Sequence, residues 1–292
     1  MQQVPIQDRG DKMKTICAAL RETRRHLFYI LNSPKLWAAG LLIFYGVFSL
    51  VEPYAKAAWA LGEDVSIGIL AYNFSRGISI LNLYLALLLI FSELPFKDPQ
   101  QTYLIMRSGK RGWYLSQIFY IIAVSVSVTL IISLVSAIIL TGHLSFGNDW
   151  GKLILKGANG GLYKYGIVGL IPSGAHKTFS PYAALAWSLP VGTLTMTAFG
   201  SVVFSLNSLC RGSAGTVAGA VIIALTLIGR FLGVAGSRYL MIIDWSDFSA
   251  VNIYRAPKTP TPGFEICVLA AMFIISVILI VFCARKKTDI KV

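Results

Sequence analysis

The chain reads as an all-α membrane protein. It has six transmembrane helices, an amphipathic helix ahead of the first, and a short cytoplasmic helix between spans two and three. Three observations predict this. Of the 292 residues, 55% are hydrophobic and 13% charged, with mean hydropathy +0.67, whereas soluble domains carry roughly 25% charged residues. Apolar stretches recur at 36–51, 77–92, 113–140, 182–206, 214–229 and 264–283. With its flanks, each reaches the ~17–20 residues that a helix needs to cross a bilayer. Lys and Arg are also unevenly spread: with both termini inside, sixteen lie in inner segments and ten in outer ones. Because these cations resist translocation, the bias predicts a multi-pass plasma-membrane protein with both termini cytoplasmic. The expected divisions are an amphipathic segment 1–35, a six-span domain 36–283 with outer segments 142–180 and 231–262, and a basic tail 284–292.

The first 35 residues hold no apolar signal-peptide core, so the N-terminus is expected to stay where it is made. Within them, KMKTICAALRETRRHLFYIL (12–31) sets Met13, Ile16, Cys17, Leu20, Leu27, Phe28 and Leu31 at three- and four-residue steps. Lys14, Arg21, Arg24 and Arg25 fall largely elsewhere around the helix. The pattern suits a helix lying in the inner membrane surface, or one packed on another protein. Asn32, Ser33 and Pro34 then end it. Span three carries Ser125, Thr129, Ser133 and Ser136 along one face. These hydroxyls suit interhelical hydrogen bonds and close packing, or a mildly polar wall of a translocation path. Span four contains Pro190 and Gly192, where a kink is expected. Span five opens with GTVAG, whose Gly215 and Gly219 let two helix backbones approach. The outer segment 142–180 has nine glycines and apolar patches such as YGIVGLIP. It suits a partly ordered or re-entrant element as well as it suits a loop. Residues 231–262 are too broken by polar side chains to be read as a seventh span.

Between spans two and three lies ELPFKDPQQTYLIMRSGKRGWY (93–114). Asp98 is a good N-cap, Pro99 fits the first helical position, and QQTYLIMR supplies about two and a half turns. Arg107 suits the C-terminal end of the helix dipole, and Gly109 is placed to stop the helix in the left-handed conformation. Tyr103, Leu104, Ile105 and Met106 are apolar groups in a segment too short to build a core, so they call for a partner surface or the bilayer.

This arrangement resembles the membrane subunit of an ABC-2 type ATP-driven transporter. Glu93 followed by YLIMRSGKRGWYLSQI is similar to that family's acidic residue, apolar pair, small residue and basic residue ahead of span three. The resemblance implies that the N-terminal helix is an elbow helix and that the segment starting at Asp98 is a coupling helix docked on a separate ATPase subunit. Tyr103, Leu104, Ile105, Met106 and Arg107 would make the coupling contact, and Glu93 would anchor that helix to the span. It further implies a second permease copy or similar subunit, re-entrant elements between spans five and six, and export of an amphipathic or hydrophobic cargo: a peptide, drug or lipid-linked molecule. The segment 142–180 is longer than in the family's simplest members, so similarity of substrate does not carry over.

The chain lacks GxxxxGK[ST], so ATP hydrolysis is expected only in a partner. No cofactor or metal is expected: His26, His143 and His176 lack ligand spacing, and Cys17, Cys210, Cys267 and Cys283 form no CxxC pair. The net charge of +13 reads as a topology and lipid-headgroup signal, with no nucleic-acid partner. Gradient coupling usually leaves carboxylates inside the membrane, whereas Glu52, Glu93 and Glu265 lie at span ends. Arg230 and Glu265, near the outer ends of spans five and six, are a candidate outer gate. The alternatives are a gradient-driven secondary transporter and a non-transporting membrane immunity or ligand-binding protein.

Overall fold

A computed structural model describes residues 6–75, 77–96, 101–167, 178–210, 212–232, 237–247 and 260–286. The first helix, α1 (Ile6–Leu31), is longer than its apolar periodicity requires. Its stripe Ala19, Thr23, His26 and Ile30 is buried, while Ile16, Leu20, Phe28 and Leu31 stay exposed. Of the amphipathic pattern, Ile16, Cys17, Leu20, Phe28 and Leu31 therefore face outward and Leu27 packs against the core, while two polar residues face the protein.

Ser33 starts α2 (Pro34–Leu61): its Oγ accepts from the Lys35 N–H at 3.3 Å, and Pro34 fills the first turn without an orphan donor. This helix runs ten residues past the apolar stretch that predicts it. Glu52 and Lys56, which follow that stretch, stand one turn apart and pair with each other, so the helix continues through them. After α2, β1 (Val65–Ser66) pairs in parallel with β2 (Leu144–Ser145), and η1 (Ile67–Phe74) is a buried 3-10 helix. Then α3 (Gly77–Phe91) departs at 66° to η1. Residues 52–76, expected as an outer connection, thus include the end of one span and the first arm of a bent second span.

The next element, α4 (Gln101–Ile139), is broken at Gly109, where φ is 72° and ψ 156°. The positive φ fits the expected stop. The extended ψ carries the chain out of the helix before span three begins, in place of the left-handed turn that was expected. The described part of the outer segment holds β2, α5 (Gly151–Ala158) and η2 (Tyr163–Tyr165). A single helix, α6 (Pro181–Leu209), continues through Pro190. At the place where a kink was expected, the Phe74 ring fills the space beside Gly192; a Cβ there would lie 2.7 Å from it.

In α7 (Ala214–Leu232), a Cβ on Gly215 would lie 2.0 Å from the Val203 carbonyl oxygen, so the GxxxG pair joins α7 to α6 within the chain. Two short 3-10 turns, η3 (Ser237–Tyr239) and η4 (Ile242–Ser246), lead towards α8 (Pro262–Lys286). Ile243 and Trp245 of η4 are buried, Trp245 within the apolar cluster of Val191, Ala198 and Leu269.

Among the described residues, five helices are long and apolar enough to cross a membrane, six when the bent pair η1–α3 counts as one span. α6 is packed on α3, α4, α7, α8, η1 and η4, and α3 on α2, α6 and α7. The perimeter is apolar and exposed, with Trp37, Leu41, Leu130, Leu134, Val221 and Leu225 among its residues. Successive spans alternate in direction. One end of the bundle therefore gathers α1, the end of α3, the start of α4 and the α6–α7 turn. The other gathers η1, the β1–β2 pair, α5, η4 and the start of α8.

Candidate functional site

At the α1 end, the chain that leads into the short helix before Gly109 is fastened to four elements. Phe96 stacks on His26 of α1 with ring centroids 4.4 Å apart, and meets Tyr120 of α4 edge-on at 5.0 Å. The Phe96 N–H donates to Gln117 Oε1 at 3.5 Å, and Gln117 Nε2 lies 3.4 Å from His26 Nδ1. Thr23 Oγ1 donates to the Ser116 carbonyl at 3.1 Å, which adds a second tie between α1 and α4. From α6, Asn207 Nδ2 donates to the Leu94 carbonyl at 2.8 Å. Its Oδ1 accepts from the N–H groups of Gly215 and Thr216 at 2.7 and 3.3 Å, which caps α7 from a neighbouring helix. Glu93 pairs with Lys35 at the start of α2, 3.0 Å away.

Of the candidate coupling residues, Asp98 lies outside the described residues, as do the side chains of Tyr103, Leu104, Met106 and Arg107. Ile105 is half-buried. The helix that carries them is present, and only about eight residues long before the Gly109 break.

Through the middle of the bundle runs a seam of hydroxyls. Ser125, Thr129, Ser133 and Ser136 each donate to the carbonyl four residues back, at 2.9 to 3.1 Å. Two of them also reach across. Thr129 Oγ1 is 2.8 Å from Thr193 Oγ1 of α6, and Ser136 Oγ donates to Asn73 Oδ1 of η1 at 2.9 Å. Ser125 and Ser136 are fully buried; Thr129 and Ser136 tie α4 to α6 and η1, while Ser125 and Ser133 bond within α4.

At the opposite end, Arg230 of α7 meets two acids. Its Nε donates to Asp244 Oδ1 at 2.6 Å and its Nη2 to Asp247 Oδ2 at 3.0 Å, while Nη1 donates to the Ser75 carbonyl at 3.2 Å. Glu265, the partner expected for Arg230, is instead a buried carboxylate in the first turn of α8; its Oε2 has no hydrogen-bond partner among the described residues. Burial pushes the Asp244 carboxyl up to about 6 against the opposing pull of Arg230. Arg230 and Glu265 both lie at span ends, but Asp244 and Asp247 take the guanidinium because η4 folds back over the end of α7.

Asn73, Asn207, Asp244 and Asp247 are site residues that motif reading passes over. Their signal is chemical: an amide or acid inside an apolar run must find a buried partner. LAYNF and SLNSL each contain one, and IIDWSD contains two.

The fold and these polar ties define an all-α, multi-pass membrane protein with an N-terminal helix ahead of its first span. Comparison of the chain with protein-family models, curated proteins and solved structures found no match.

Proposed function

We propose that the chain is the membrane-spanning subunit of an ATP-driven ABC-2 type exporter, working with a separate ATPase and a second permease copy or similar subunit. The observation that carries this reading is the short helix ahead of span three, cut off from the span at Gly109 and rooted through Phe96 on α1. A helix on such a root can pass a push from a cytoplasmic partner into α1, α4 and α6 together, as a rigid-body or shear transition requires. Both termini lie in the cytoplasm on this reading, in keeping with the Lys and Arg bias. The cargo is amphipathic or hydrophobic, and ATP hydrolysis belongs to the partner.

One observation favours a second reading, gradient-driven transport. Glu265 is a buried carboxylate at the start of a span, with one oxygen unpartnered among the described residues, the kind of group that carries protons in such proteins.

The test is co-purification of the tagged protein from its native membrane, followed by an ATPase assay, with Leu104→Asp/Ile105→Asp as the comparison. An ATPase that accompanies the wild type and falls off the double variant is the expected result. No ATPase on the wild type overturns the exporter reading. Transport that then follows an imposed proton gradient and is lost in Glu265→Gln would establish the second.

A further inference from the structure

α1 carries an apolar strip and a basic strip side by side on its outer surface. Its buried stripe, Ala19, Thr23, His26 and Ile30, is keyed to α4 where Thr23 bonds the Ser116 carbonyl and His26 meets Gln117, so the helix has one rotational setting. At 3.6 residues per turn, Ile16, Leu20 and Leu31 fall in a strip about 80° round from that stripe. All three are exposed, Leu20 and Leu31 more than half. About 80° further round stand Arg21 and Arg24, also exposed.

Charge on this surface is segregated. Glu22, the acid of residues 15–31, falls on the opposite flank of the helix from the apolar strip and pairs with Arg25 at 4.0 Å. Among the described residues, neither Arg21 nor Arg24 meets a carboxylate. Arg24 lies over the exposed Phe28 ring, its Cζ 5.5 Å from the centroid. A guanidinium held on an aromatic face still presents the N–H donors of its rim, in a planar fork that matches phosphate oxygens.

The apolar strip is continuous with the exposed rim of the spans. Just past Leu31, the first turn of α2 brings Trp37 to the surface and the next brings Leu41, both more than two-thirds exposed. A Trp at the start of a span sits at headgroup level. We propose that the outer face of α1 is a binding site for anionic phospholipid, with Arg21 and Arg24 on the headgroup phosphates and Ile16, Leu20 and Leu31 against the acyl chains. A water-soluble acidic partner would suit the arginines and leave the apolar strip uncovered; a leaflet of anionic lipid suits both. The inference goes beyond the exporter reading and does not rest on it, since the same leaflet lies against α1 whatever drives the protein.

The test is native mass spectrometry of the delipidated full chain, titrated in detergent with dioleoyl phosphatidylglycerol or dioleoyl phosphatidylcholine, reading the association constant of the first lipid bound. An arginine near an anionic surface contributes about fivefold in affinity. The wild type should therefore take phosphatidylglycerol about 25-fold more tightly than phosphatidylcholine. Arg21→Gln/Arg24→Gln should lose that preference with phosphatidylcholine binding unchanged. Lys152→Gln/Lys156→Gln, at the other end of the bundle, should keep it. Equal wild-type affinity for the two lipids overturns the proposal, and so does a preference that survives in the arginine variant; either result returns this face to a protein partner. A preference lost from the lysine variant overturns it as well, by moving the lipid to the other end. If the double arginine variant fails to fold, Arg21→Gln and Arg24→Gln decide singly, each with an expected fivefold loss. No ATPase enters this titration, so a negative co-purification leaves all of these outcomes untouched.

Discussion

Replacing Asn207 by Ala removes one side chain and orphans three backbone groups. The Leu94 carbonyl loses its donor at 2.8 Å, and the N–H groups of Gly215 and Thr216 lose their acceptor at 2.7 and 3.3 Å. Asn207 is 4% exposed, so water does not readily take its place. Each buried group left unpaired costs about 1–3 kcal/mol, and with the longest bond near the bottom of that range the sum is about 4 kcal/mol. For a chain of this size, 1 kcal/mol shifts the melting temperature by roughly 2–4 °C, which places the variant about 10 °C below wild type. The assay is thermal unfolding of purified protein in one detergent, followed by retention of the monodisperse peak after heating. Asn207→Asp serves as the internal comparison: it keeps the acceptor for the α7 cap, loses the donor to Leu94, and should fall by about half as much. A shift below about 2 °C for Asn207→Ala would refute the reasoning, because it would mean the three groups find partners elsewhere.

Two further substitutions test the packing. Gly215→Ala drives a methyl group into the Val203 carbonyl and should abolish the folded yield, whereas Gly40→Ala, with nothing within 4 Å of the new methyl, should melt at or above the wild-type temperature. Phe96→Ala empties the clamp between His26 and Tyr120. It should raise hydrogen exchange across residues 19–30 of α1 while leaving α8 unchanged; equal exchange in both proteins would show that α1 is held by other contacts.

Much of this fold is legible in the sequence because a bilayer imposes simple rules. Long apolar runs give α2, α4, α6, α7 and α8, and an amphipathic pattern gives α1. Gly109 marks its own break, because a helix stop at positive φ favours glycine. The broken span is harder to read. Ile67–Phe74 is a short apolar run interrupted by Asn73, and what buries that amide is Ser136, 63 positions further along. No local pattern announces a partner so distant. The partners of Arg230 are hidden from the sequence for the same reason. Arg230 was found from its place at a span end, but its carboxylates come from a segment whose folding back depends on where Trp245 and Ile243 pack. The GxxxG pair shows a third kind of ambiguity: the motif announces a close helix contact, and only the fold says that the partner is α6 of the same chain.

The 15 residues of α3 measure about 22 Å at 1.5 Å per residue, against a hydrocarbon core of roughly 30 Å. A helix this short facing lipid would force the bilayer to thin around it. In this fold η1, at 66° to α3, adds a second arm to the span and is buried from Gly68 to Phe74. Irregular backbone at membrane depth is thereby sheltered from hydrocarbon. The lipid contour is set instead by the longer helices of the perimeter, α2 and α4 among them, so that changes in bilayer thickness strain the rim of the bundle and leave its central joint undisturbed.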